Sequence, residues 1–311
     1  TEKGLRVGDW ANPNVGWERA KKMNAGVEIS FFNALKIQAD YFSEKREGIF
    51  LERASLPLYI GVSTKPYVNV GKMKNHGFDT SLEYNQRVGQ VRLSGKANFT
   101  YAHNTIIDND QPDWKYPYLN RRGQMLWQQY GLVAAGLFES QADIDSWPTQ
   151  TFGEVKPGDI KYIDINGDGK IDTNDEKPIG WAAVPEIVYG FGLSAAWKGL
   201  DCSVFFQGAG HVTLQQSGSA IQAFSARNMM ESGVYEDIYY NHWSEDNPNP
   251  NAKYPRLSIG SNKNNFRNST FWQKDMSYLR LKTVEIGYNF PIKWIEPIHI
   301  SGLRIYLSRV N

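Results

Sequence analysis

The joins between its strand-like segments constrain this chain more than any single residue does. Eight stretches alternate apolar and polar residues at the two-residue period of a one-faced strand. They run Ala25 to Phe31, Leu35 to Tyr41, Phe78 to Tyr84, Val91 to Tyr101, Ile187 to Trp197, Leu200 to Phe206, Val284 to Phe290 and Leu303 to Leu307. The joins read short, long, short, long, short, long, short. Tight turns fall at Phe32-Asn33-Ala34, Val88-Gly89-Gln90 and Lys198-Gly199, with a compact connection through Pro291, Trp294 and Pro297. Long segments run from Ser43 to about Val68, with Pro57 and Pro66 as breakers, from Asn104 to about Glu186, and from Gly208 to about Met276. A soluble sandwich has no reason to sort its joins in this way. Outer-membrane barrels do, with short periplasmic turns and long extracellular loops. The expected fold is therefore all-β: part of a transmembrane antiparallel β-barrel, with Val27, Leu82, Phe99, Leu193 and Val284 towards lipid. Lys36, Asp40, Glu83, Arg92 and Lys96 would face a wet lumen, and Tyr41, Tyr101, Trp197, Tyr288 and Trp294 suit interfacial girdles.

Composition agrees and excludes several classes. A formal net charge of +1 over 311 residues lacks the basic surplus of a nucleic-acid protein. The single cysteine, Cys202, rules out a disulfide framework and a cysteine zinc site; alternating with Leu200 and Val204, it reads as a small hydrophobe on the apolar face. Aromatic residues make up 14%. No run of eighteen apolar residues supplies a transmembrane helix, but barrel strands show lipid only alternate residues and average out as polar. The first residues, from Thr1, read like the middle of a protein.

Within the second long segment, Gly158 to Gly180 reads GDIKYIDINGDGKIDTNDEKPIG. Asp164, Asn166, Asp168, Asp172 and Asp175 occupy positions 1, 3, 5, 9 and 12 of a calcium-type loop, with Gly169 at the sharp turn and the Lys170 carbonyl at position 7. A hard cation such as Ca²⁺ takes six to eight oxygens, and this spacing wraps them about one point. Asp175 stands where such loops carry glutamate, and its shorter arm weakens bidentate reach. The alternative is an acidic loop held by Asx-turns with no metal. The flanks alternate like strands and lack the helices of an EF-hand, so the loop punctuates a β protein.

Several runs together resemble the SusC/RagA-like TonB-dependent outer-membrane transporters. They are Pro157 through Ile179-Gly180, Tyr189-Gly190-Phe191, Ser203-Val204-Phe205-Phe206-Gln207-Gly208, Asn69-Val70-Gly71 with Asn75-His76-Gly77-Phe78, Tyr130-Gly131 to Gly136-Leu137-Phe138, Tyr278-Leu279-Arg280-Leu281-Lys282 and Gly287-Tyr288-Asn289-Phe290-Pro291. The resemblance covers nearly the whole chain. It implies the C-terminal part of a barrel of about 22 strands around a plug, with the plug, roughly thirteen earlier strands and a final strand outside residues 1–311. It also implies TonB-driven import of oligosaccharides or peptides across the bacterial outer membrane, with a SusD-like surface lipoprotein as partner. TonB would be met through a segment upstream.

Enzyme chemistry is not expected. His76, His103, His211, His242 and His299 are scattered without the spacing of a zinc site or a catalytic triad, and Gly190-x-Gly192 lies inside a strand with no following helix. Trp114, Trp127, Gln128, Trp243 and Asn247 offer stacking and hydrogen bonding to sugars, or ordinary loop packing. Two rival functions remain: a soluble extracellular calcium-binding β-sandwich serving adhesion, and a passive porin.

Overall fold

The computed structural model describes residues 12–56, 65–224, 233–260 and 262–311; Pro57, one of the expected breakers, lies outside them. In chain order, β1 (Arg19–Phe31), β2 (Leu35–Glu52), β3 (Tyr67–Val88) and β4 (Val91–Asp108) come first. A run of short pieces follows: β5 (Gln128–Gly131), β6 (Ala134–Leu137), α1 (Gln141–Asp145), β7 (Thr149–Gln150), β8 (Ile160–Tyr162), β9 (Lys170–Ile171) and β10 (Lys177–Ala182). Then come β11 (Ile187–Trp197), β12 (Leu200–Gly210), β13 (Thr213–Gln215), α2 (Glu236–Asn241), β14 (Gln273–Asp275), β15 (Tyr278–Asn289), α3 (Ile292–Ile295) and β16 (Arg304–Val310). Eight of these form one antiparallel sheet in the order β1-β2-β3-β4-β11-β12-β15-β16, the barrel wall expected from the alternation.

Register puts the apolar residues of every strand on one face. One row crosses Ile29, Ile37, Leu82, Ala97, Phe191, Phe206 and Leu281; the next crosses Phe31, Leu35, Tyr84, Gly95, Leu193, Val204 and Val284. The larger of these side chains are mostly exposed, Leu193 at 64%, because the described residues put nothing over the face. Cys202 lies on the same face between Ala195 and Ile286, as its alternation requires. The opposite face carries Lys36, Glu83 and Lys96 in one row, and Ser94 and Ser194 share a hydrogen bond of 2.5 Å there. Val188, level with Thr100, and Phe205 are exceptions; Phe205 points inward over Gly190 and Gly192, where a Cβ would stand 3.0 and 2.9 Å from its ring.

Two aromatic rows bound the outer face. The upper runs Tyr41, Phe78, Tyr101 and the lower Trp197, Leu200, Tyr288. Ten residues separate Ile187, the partner of Tyr101, from Trp197 along β11. At roughly 3.3 Å per residue and a tilt of about 40°, the band is about 25 Å tall, the hydrocarbon height such barrels cover. Turns at the lower edge use left-handed residues: Phe32 and Asn33 both at φ 52°, Lys198 at 48° and Gly199 at 90°. Such turns follow the twist of the strands they join.

The strands run further above the band than alternation predicts. Strand extends into the segment from Ser43 to Val68, expected as a long mixed join: β2 runs to Glu52, β3 begins at Tyr67, and the two stay paired up to those residues. Likewise β4 continues past Tyr101 to Asp108, and β15 begins at Tyr278 rather than Val284. Above the lipid neither face meets hydrocarbon. Apolar alternation lapses there while the backbone ladder continues.

Candidate functional site

The described residues of the two longest connections, 109–186 and 211–277, fold together into a layer at the upper edge of the wall. Its core holds Leu132, Leu137, Ile160, Tyr162, Ile171, Ile238, Trp243, Tyr254 and Trp272, all buried. At its centre Asp159, fully buried, accepts from the Lys156 amide (2.8 Å), Arg256 Nη2 (3.0 Å), Asn262 Nδ2 (3.1 Å) and Asn265 Nδ2 (2.7 Å). Buried charge on that scale persists only where every lone pair is answered. Gln150 serves β8 as a surrogate strand: its Nε2 donates to Ile160 O and its Oε1 accepts from the Tyr162 amide. The Tyr162 hydroxyl donates to Asn264 O at 2.8 Å, and burial pushes that phenol well above its ordinary value. Burial also works against ionisation of Asp143, but the Lys161 ammonium at 2.6 Å and the Glu139 amide hold its carboxyl below the usual range.

The acidic loop leaves β8 and returns through β9, which pairs in parallel with β7 and buries Ile171. Gly167 and Gly169 take φ of 73° and 82°, the left-handed backbone that makes the turn. Asp164 accepts from the amides of Gly167 (2.7 Å) and Gly169 (2.8 Å), Asn166 from Asp168 (2.9 Å), Asp168 from Lys170 (3.0 Å) and Asp172 from Asn174 (2.6 Å). Asp175 is fully buried; Oδ1 accepts from Ile165 and Asn166, Oδ2 from Asp172. The five side chains thus share one loop, with each carboxylate drawn onto the backbone. Among the described residues no three His, Cys, Asp or Glu side chains converge on a point a metal ion would fill. The donors match a hard cation in kind, all of them oxygens.

The loop residues considered for sugar contact separate. Trp243 is a core residue and Gln128 spends its amide on the carbonyls of Gln129, Ile179 and Gly180. Asn247 closes a turn with Ser244. Trp114 and Trp127 stay exposed, and Trp127, held at φ 64°, lines a cleft of about 790 Å³ beside Leu51, Met73, Arg121 and Tyr130.

The fold also collects residues that look scattered along the chain. Glu186, buried where β10 leads into β11, places Oε1 against His103 Nδ1 and Oε2 3.0 Å from His211 Nδ1. His76 meets His103 edge-on at 5.6 Å, and Trp181 lies flat on His211 at 3.9 Å with 4° between the rings. The only signal in the sequence was the pairing of β3 with β4, which sets His76 opposite His103.

Residues 4–143 match the family model described as TonB dependent receptor-like, beta-barrel. TonB-dependent receptor P3 of Formosa agariphila is 28% identical over 99% of this chain and 31% of its own length. TonB-dependent receptor SusC of Bacteroides thetaiotaomicron is 22% identical over 96% of the chain and 29% of its own. Among solved structures, that of the RagAB peptide transporter superposes with a TM-score of 0.73 at 22% identity, covering 99% of this chain and 32% of that one. The chain therefore spans about a third of the length of the curated relatives it matches.

Proposed function

Because the chain is a SusC/RagA-like β-barrel portion of the TonB-dependent receptor type, at home in the bacterial outer membrane, we propose that its receptor actively imports oligosaccharides or peptides. TonB supplies the energy, and a SusD-like lipoprotein captures substrate at the surface. One observation carries this reading: across the membrane band the wall is predominantly apolar outside and polar inside, and the described parts of the two longest connections gather into one packed layer over one edge. That is the form of a wet conduit under a structured mouth. No side chain is assigned a catalytic role. The relatives' names support TonB dependence, and the likeness to a peptide importer keeps peptides beside glycans as cargo.

We further propose that the acidic loop takes Ca²⁺ structurally, through Asp164, Asn166, Asp168, Asp172 and Asp175 with the Lys170 carbonyl. Support comes from the ligand spacing and from an amide-lined turn that holds four carboxylates within twelve residues. When bound, the ion neutralises those charges and stiffens the second long connection.

The test of import is uptake of labelled oligosaccharide and peptide pools by cells with and without the receptor, each with TonB present or depleted. Uptake of one pool should fall in the receptor-deleted cells and equally on TonB depletion. Uptake that survives TonB depletion would make the protein a passive porin, and unchanged uptake without the receptor would reject import altogether.

A further inference from the structure

The residues around Glu186 form a device that neither the barrel nor the layer needs for its packing. Its carboxylate is 2% exposed, and among the described residues its only ionic partners are His103 and His211. Among the described residues no lysine or arginine pairs with it. Both imidazoles present Nδ1 to it. An ionised carboxylate accepts only, so both Nδ1 atoms must carry protons. A buried carboxylate facing two neutral rings lacks a compensating charge, which is costly; with an imidazolium beside it, the charge is matched. The two rings are about a third exposed, so protons reach them from solvent while the carboxylate stays dry.

The ionic pairs join three adjacent wall strands, and Trp181 carries the tie into the layer. His103 belongs to wall strand β4, and His211 follows wall strand β12 in a left-handed conformation at φ 53°. Glu186 lies between β10 of the layer and β11 of the wall, its carbonyl accepting from Ala102 N at 2.9 Å. Trp181 of β10 stacks on His211 and its amide donates to Thr213 Oγ1 at 2.9 Å. An imidazolium stacked flat on an indole is favoured over a neutral ring, because the π face is electron-rich. Protonation therefore strengthens both contacts at once.

We infer that His103, Glu186 and His211, with Trp181, are a proton-held clamp that fastens the loop layer to the rim of the wall. It is closed while the imidazoles carry charge and opens as pH rises through the histidine range. Other charged groups nearby are few. His76 faces His103 from β3 with Lys74 close to His76, Tyr101 faces Glu186 from β4, and Asp275 faces His211 from β14. Glu18, Glu44 and Arg46 stand across the hollow that Glu186 lines, with Arg46 engaged by the two glutamates. Burial holds the His76 imidazole below its ordinary value, with Lys74 and His103 pushing the same way, so it competes less for charge where it meets His103 edge-on. The sign follows: the closed clamp holds protons that the open one releases, so opening grows with pH, by up to about tenfold per pH unit for each proton released. Imidazole is the group that makes this change between about pH 5 and 8. A receptor at the cell surface meets that range directly, and a clamp of this kind lets outside acidity set how firmly the mouth is held.

The test uses the full-length receptor in detergent micelles. Amide exchange of the Trp181–Ile187 and His211–Thr213 stretches, corrected for the intrinsic pH dependence of exchange, is followed from pH 5.5 to 8.5. Trp181 emission is isolated by subtracting the Trp181→Phe variant. Exchange should quicken by up to about tenfold per pH unit across the histidine range, while Trp181 brightens as its quenching imidazolium is lost. Glu186→Gln, which keeps the shape without the charge, should flatten the exchange profile, and His211→Gln should do the same if the first variant fails to fold. An equal slope in wild type and both variants, or none in wild type, overturns the clamp. Loss of the profile on adding a chelator would also overturn it, by revealing a metal rather than protons.

Discussion

At the scale of single residues, neighbours in sequence meet opposite solvents. Leu193 faces outward between Gly95 and Val204, while Ser194 faces inward onto Ser94. Leu193→Arg should cost about 2–4 kcal/mol near the bilayer midplane, read as loss of the heat-modifiable folded band. Ser194→Arg should leave that band in place, and equal tolerance at the two sites would reject the assigned faces. Asp159 makes a different argument, that of a buried charge with four hydrogen-bond donors to satisfy. Asp159→Ala strands Arg256 and two asparagine amides. The layer should lose about 3 kcal/mol, towards the lower end for a broken buried pair because Arg256 keeps some water. Protease cutting within 109–186, with the wall still heat-modifiable, would register it; cutting unchanged from wild type would not fit the role given to Asp159.

At the scale of elements, the acidic loop and its neighbours decide how rigid the layer is. With calcium, the loop should resist proteolysis, and a chelator should expose it. Asp168→Ala should reproduce the chelated pattern at any calcium concentration, and magnesium should protect poorly because it demands a tighter octahedral shell. No bound calcium by elemental analysis at millimolar concentration, with identical cleavage either way, would leave only the amide-held turns. Gly158 probes the opposite side of the same layer. Its φ is 82°, and an added Cβ would come within 2.2 Å of the buried Trp243 ring. Gly158→Ala should displace that indole and shift its emission to the red, whereas an unmoved spectrum would mean that the ring yields freely.

At the scale of the whole molecule, the sheet is open, with β1 at one edge and β16 at the other. Lipid cannot satisfy the backbone groups along those edges. Residues 1–311 refolded alone in liposomes should therefore aggregate or remain unfolded, and steady single-channel conductance from them would contradict the open sheet. The same sheet within the complete receptor should require detergent for extraction, since its outer face is a continuous apolar band about 25 Å tall.

Period and punctuation in the sequence were enough to determine the wall. Alternation selects the faces because a strand places successive side chains on opposite sides, and the sorting of short and long joins orients the barrel. The spacing of Asp164, Asn166, Asp168, Asp172 and Asp175 likewise marked one loop whose glycines could only turn there. Tertiary structure alone decided the rest. Where the strands end above the membrane was invisible, because pairing of β2 with β3 continues where no hydrocarbon enforces alternation. The layer was invisible as a unit, because its core joins Ile160 and Tyr162 to Ile238 and Trp272 from a separate connection. Glu186 looked like an ordinary acidic residue at a loop end, and His103 and His211 like two of five unrelated histidines. They lie 83 and 25 residues from it. No local pattern records such a meeting; adjacent strands β4, β11 and β12 bring the three to one height on the wall.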